Sequence, residues 1–160
     1  MGTLHQYPAR IRWTGNRGHG TVDYRAYGRE FTLSIDGKPD LLGSSDRTFR
    51  GDASRHNPEE LLVAALSACH LLSYLHACAR AGVVVVEYED SASGSMESLP
   101  DDSGRFTEVT LRPRVTIDGG QVDEALRLHD EARRMCFIAN SVNFPVRHEA
   151  EVRPRSRPAP

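Results

Sequence analysis

At 160 residues the chain has material for one hydrophobic core, which excludes two independent domains. Lys plus Arg number 20 against 22 Asp plus Glu, and a net charge of −2 leaves no cationic field for a nucleic-acid backbone. With 39% apolar and 26% charged residues the mixture is that of a folded protein, and three cysteines behind an N-terminus without an apolar signal run lead us to expect the reducing cytoplasm.

In chain order, alternation at Val22, Tyr24 and Ala26 and again at Phe31, Leu33 and Ile35, with Asp36-Gly37 as a hairpin turn, predicts a short β meander. A polar loop over Leu42 to His56 leads to a long helix. Its start is specified by Asn57 as cap, Pro58 in the first helical position and Glu60 three residues after the cap. Gly82 stops it, and the β-branched run from Val83 begins a strand to Tyr88. A turn-rich break over Ser91 to Gly104 precedes strands between Phe106 and Ile117. A second helix is expected over Val122 to Ala139, with Ala125, Leu128, Ala132, Met135 and Ala139 on one face, then a last strand holding Val146, His148, Ala150 and Val152. The single domain covers residues 1–153, and residues 154–160 form a frayed Pro/Arg-rich tail.

Leu61 to Ala79 carries no Asp, Glu, Lys or Arg. As a membrane span it would strand the β sequence on both sides without a core, so a buried helix of a soluble protein is the better reading. From Pro58 to Ala81 it would be about 36 Å long. A monomer of this size covers such a helix poorly, which points to a partner subunit, and Ala64, Ala65, Ser67 and Ala68 allow close approach.

Cys69 falls in the middle of this helix and Cys136 near the end of the second. Each taken alone reads as a small buried hydrophobe. Two helices rich in small residues can cross, however, and a thiol pair in a reducing compartment has a redox use. Cys78, nine positions after Cys69 and about half a turn around the helix, cannot share that site and reads as core.

The segment Asn57-Pro-Glu-Glu-Leu through Ser-Ala-Cys69 resembles the osmotically induced protein and organic hydroperoxide resistance (OsmC/Ohr) family, including the ten-residue step from Glu59 to Cys69. Cys136-Phe-Ile-Ala-Asn-Ser-Val is similar to the family's second cysteine segment, with Phe137 where the family has proline and Ala139 where it has serine. Gly15-Asn-Arg-Gly-His-Gly-Thr-Val22 resembles its Arg-bearing early hairpin. The resemblance implies an α+β fold of antiparallel sheets wrapped around two main helices, an intertwined homodimer, and a thiol peroxidase acting on organic hydroperoxides. It implies Cys69 as attacking thiol, Cys136 as resolving thiol, and regeneration by an external dithiol such as a lipoyl-bearing protein, with no cofactor and no metal. A thiol buried among alanines and leucines needs a cation to become a thiolate. Arg17, oriented by Glu59, is the residue expected to supply it.

Rival readings stand beside these. Glu59 can serve the helix dipole, and Glu60 the capping box. Arg17 can be a solvated turn residue, with Arg29 its closest competitor. Leu62, Leu66, Leu72 and Phe137 read as core, some of them able to line a substrate pocket. A Cys-His hydrolase or acyltransferase is a second class, but His70 points about 100° away from Cys69, so its base would have to be His148 or His19. Among seven histidines, the Cys69/His76 and His129/Cys136 pairs are two helical turns apart, too far to chelate one ion. A non-catalytic member that uses the same cleft to bind a small molecule is the third class.

Overall fold

The computed structural model describes residues 2–156, so part of the expected tail, 157–160, lies outside the described residues. Contacts divide the chain into two units, residues 1–61 and residues 62–160.

The N-terminal unit is an antiparallel sheet of β1 (Arg10–Trp13), β2 (Phe31–Ser34) and β3 (Leu41–Gly43) in that order. Asp36-Gly37 does turn the chain between β2 and β3, with Gly37 at a φ of 77° that disfavours other residues. The strand expected at Val22 to Ala26 is absent, since residues 18–27 are turns and bends. The guanidinium of Arg29 accounts for this: it donates to the carbonyls of Tyr24 (2.7 Å) and Tyr27 (2.5 Å) and lies over both their rings. Those carbonyls are thereby taken from any ladder.

α1 (Pro58–Ala81) begins and ends where its punctuation says. Glu60 N–H donates to Asn57 Oδ1 at 2.8 Å and Asn57 N–H to Glu60 Oε2 at 3.3 Å, closing the capping box. Gly82, at a φ of 73°, ends it.

The C-terminal unit adds β4 (Val84–Asp90), β5 (Ser93–Ser98), β6 (Gly104–Leu111), β7 (Pro113–Asp118), α2 (Val122–Met135), β8 (Val146–His148) and β9 (Glu151–Pro154). They form two three-stranded sheets, β4-β7-β9 and β5-β6-β8, in which β4/β7 and β5/β6 are antiparallel while β6/β8 and β7/β9 are parallel. The architecture is therefore α+β, with mixed rather than wholly antiparallel sheets around two main helices. The expected last strand is two strands, one on each sheet. β9 reaches Pro154, and Arg155 N–H still donates to Ile117 O, so ladder pairing extends past residue 153 into the expected tail.

Two apolar clusters hold this unit together. One joins Tyr74, Ala77 and Cys78 of α1 to Val115 and Ile117 of β7 and to Ala125, Leu128 and Ala132 of α2. The other gathers Leu66 against Val109, Leu111 and Val146. Cys78 is core, as expected, and so is Leu66, with Leu62 packed beside it. Leu72 and Phe137 are not: they are 66% and 79% exposed. Ala64, Ala65, Ala68 and Leu75 are exposed with Leu72, so α1 carries an uncovered apolar stripe. Long and apolar enough to cross a membrane, the helix has only 28% of its most apolar window buried within the chain.

Candidate functional site

α1 and α2 meet through a short ladder of side chains in the C-terminal unit. At one end are the thiols. Cys69 is half-buried on α1, and Cys136 is buried directly after the last residue of α2. The second helix stops at Met135, four residues earlier than expected, because Cys136 leaves helical geometry (φ −71°, ψ 108°) and a tight turn over Ala139–Ser141 follows. That turn aims the Ala139 N–H at Cys136 Sγ, 3.4 Å away.

Burial first and the neighbouring Cys69 second push the Cys136 thiol up to about 11, with the Ala139 N–H acting the other way. With its pKa raised, the Cys136 thiol keeps its proton at neutral pH. The fold makes Cys69 and Cys136 neighbours, and all three cysteines are free thiols.

The next rung is a buried pair of imidazoles. His70 Nε2 and His129 Nδ1 are 3.0 Å apart, with the rings parallel to within 9°. Burial, followed by the charge of His148, lowers His70 to about 4, while Asp90 acts the other way. Burial, then His70 and His148, lowers His129 to about 3. His148 stacks near both rings and approaches Asp130 at 3.5 Å. His70 and His129 meet edge to edge through one nitrogen each, and among the described residues no group of three or more His, Cys, Asp or Glu is arranged to hold a metal ion. Beyond them Tyr74 stacks on His129 with centroids 3.8 Å apart and donates its hydroxyl to Ala125 O at 3.1 Å.

His70 is a buried packing residue held by its bond to His129. The sequence raises His129 only as a rejected metal partner of Cys136. Its signal was a polar side chain on the apolar face of α2, in helical register with Ala125 and Ala132, but its partner lies 59 residues away and no spacing reveals that.

Arg17 and Glu59 belong to the N-terminal unit. Arg17 is exposed on a loop pinched at its base by Gly15 and Gly28, where Gly28 N–H donates to Gly15 O at 2.7 Å and Trp13 Nε1 donates to Gly28 O at 2.8 Å. A Cβ on Gly15 would meet the Gly28 carbonyl oxygen, so the pinch requires glycine there. Asn16 Oδ1 accepts from the N–H groups of Gly18 and Gly20, shaping the turn that presents Arg17. Glu59 Oε2 is buried and has no hydrogen-bond partner, so Arg17 is not paired with it here. Arg29 is committed to the Tyr24 and Tyr27 carbonyls and rings, whereas the Arg17 side chain is exposed.

Comparison with known proteins agrees with this architecture. Residues 51–151 match the model of the family described as OsmC-like protein. The YmaD protein of Bacillus subtilis is 27% identical over 158 residues, spanning 93% of this chain and 95% of its own. The OsmC-like protein VCA0330 of Vibrio cholerae O1 biovar eltor is 30% identical, with a TM-score of 0.83 over 92% of this chain and all of that one. An organic hydroperoxide resistance protein from Elizabethkingia anophelis, at 20% identity, shares the fold with a TM-score of 0.70 over 97% of this chain and 100% of its own. The chain belongs to the OsmC-like protein family.

Proposed function

We propose that the chain is a cysteine peroxidase that reduces organic hydroperoxides through Cys69 and Cys136. The observation that supports this reading is the nearness of the two thiols, which leaves Cys136 within reach of an oxidised Cys69. The Cys69 thiolate attacks the distal peroxide oxygen, the O–O bond breaks, and the alkoxide leaves and takes a proton from water, leaving a sulfenic acid on Cys69. Cys136 then attacks that sulfur. The S–O bond breaks, an S–S bond forms, and the Cys136 proton departs with the hydroxyl as water. An external dithiol restores both thiols by exchange and leaves as a disulfide. No cofactor enters.

Arg17 is the proposed cation for the Cys69 thiolate, and Glu59 the carboxylate that orients it. The buried, unpartnered Oε2 of Glu59 supports the second role, since such an oxygen gains a charge-assisted bond when a guanidinium docks on it. A second copy of the chain is the proposed partner of the apolar stripe on α1, which the single chain leaves uncovered. The name of the Elizabethkingia anophelis protein supports organic hydroperoxides as the substrate class. Three free thiols suit a reducing compartment, the proposed cytoplasm.

Steady-state turnover of cumene hydroperoxide with a dithiol reductant tests the reading. Cys69→Ser is expected to abolish turnover, and Cys136→Ser to permit one oxidation per site without forming the intramolecular disulfide. Full turnover in Cys69→Ser would refute the assignment.

A further inference from the structure

The contacts between α1 and α2 run in order. Cys69 meets Cys136, His70 meets His129, and Tyr74 meets Ala125, so the thiol pair is the last rung of a ladder whose middle rung is the imidazole pair. Burying two imidazoles has a cost, and part of it is visible. His129 is wholly buried, and its Nε2 has no hydrogen-bond partner. Leucine or phenylalanine would fill the same space without that cost. What a hydrogen bond supplies and apolar packing does not is direction and a fixed length.

That fixed length acts where the chemistry needs it. His70 follows Cys69 directly in the chain. Cys136 is carried by the end of α2: its Sγ receives the Ala139 N–H, its carbonyl receives the Asn140 N–H at 3.1 Å, and the Asn140 side chain donates to Arg134 O at 2.9 Å. A slide of α2 along α1 therefore moves Cys136 with it. A disulfide closes only with Cα atoms about 4.4–6.8 Å apart, so displacement by an ångström or two decides whether it forms.

We propose that His70 and His129 are positioning residues for the thiol pair: their mutual hydrogen bond holds α2 against α1 at the spacing where Cys69 and Cys136 can be bridged. The inference rests on the reading of Cys69 and Cys136 as a redox pair, but not on the identity of the oxidant. Neither imidazole takes part in the reaction itself. Tyr74 supports the rung by stacking on His129, and its bond to Ala125 O anchors the far end.

The test is the equilibrium of the Cys69–Cys136 disulfide of the full-length protein against oxidised and reduced glutathione, with the bridge located by peptide mapping. Closure takes two electrons and two protons from the thiols and leaves two reduced glutathione molecules. His129→Phe fills the space but removes the bond, and is expected to lower the equilibrium constant by about tenfold or more. His129→Asn puts an amide where Nδ1 stands and is expected to remain within about threefold of the wild type. A space-filling role predicts the opposite order, because phenylalanine matches the volume better than asparagine.

Wild-type behaviour in His129→Phe, or a loss in His129→Asn as large as in His129→Phe, overturns the proposal. If His129→Phe does not fold, the same comparison is made at the other ring. His70→Gln, whose amide replaces Nε2, is expected to hold the equilibrium, and His70→Leu to lose it; equal values for the two overturn the proposal. A wild type that forms no Cys69–Cys136 bridge with glutathione also overturns it. A wild type that forms the bridge with glutathione but does not react with hydroperoxide sinks the peroxidase reading and leaves this inference standing.

Discussion

Cys136, placed immediately after the last residue of α2, is a neighbour of Cys69 on α1, and the two thiols belong to one buried site. Burial is the larger cause of its raised pKa and Cys69 the second. Cys69→Ala is therefore expected to lower the Cys136 pKa from about 11 while leaving it above the ordinary 9.0, because burial remains. The pH dependence of Cys136 alkylation in the folded variant measures this. An unchanged value would contradict the contact between the thiols.

Acid should destabilise the fold through the imidazole pair. The folded-state values of about 4 for His70 and about 3 for His129 lie below the ordinary 6.5, so between those limits the unfolded chain binds more protons than the folded one. The stability contributed by burying them neutral is fully present above about pH 6.5 and is lost as pH falls toward 4 and then 3. Each ring contributes a slope of up to about 1.4 kcal/mol per pH unit. Urea midpoints at pH 7 and pH 5 measure it, and the double variant His70→Gln/His129→Asn is expected to flatten the slope.

Two leucines of α1 separate the fold from the proposed assembly. Leu66 is completely buried against Val109, Leu111 and Val146, and Leu66→Ala is expected to cost about 2–5 kcal/mol in denaturant unfolding. Leu72 is exposed in the single chain. Leu72→Glu should leave the secondary structure intact and shift sedimentation from dimer toward monomer. An unaltered dimer would remove α1 from the interface.

Arg17 is tested by charge and by presentation. Arg17→Ala is expected to slow the reaction of Cys69 with cumene hydroperoxide by about 10²-fold or more, the scale of removing one donor to a reacting anion. Gly15→Ala forces apart the Gly15/Gly28 pinch that closes the same loop and should slow the reaction without altering the charge. Arg29→Lys loses the fork that binds two carbonyls, and its expected effect is on stability first. Stopped-flow oxidation kinetics beside thermal melts separate the three.

Much of this molecule was legible in the chain because its signals are local. Asn57, Pro58 and Glu60 fix the start of α1 and Gly82 fixes its end, each acting within one turn of itself. The β5 segment reads as loop because Ser-Gly-Ser-Met-Glu-Ser has neither branching nor alternation, and only its pairing with β6 makes it a strand. The turn at Val22 to Ala26 looks like a strand in sequence because alternation there satisfies the β pattern, and Arg29, a few residues on, overrides it. Within the site, both cysteines were legible from the resemblance of their segments. The imidazole rung was not, since a hydrogen bond across 59 residues leaves no trace in spacing. Leu72 and Phe137 look like core by type alone, and only coordinates distinguish an apolar residue that is covered from one that is not.

The central claim is that Cys69 and Cys136 form a peroxide-responsive pair. Its most direct test is peptide mapping of the purified protein after one equivalent of cumene hydroperoxide without reductant. The account predicts loss of two thiols per chain, recovered as a Cys69–Cys136 disulfide, with Cys78 still free. Unmodified Cys69 together with unconsumed hydroperoxide would contradict it.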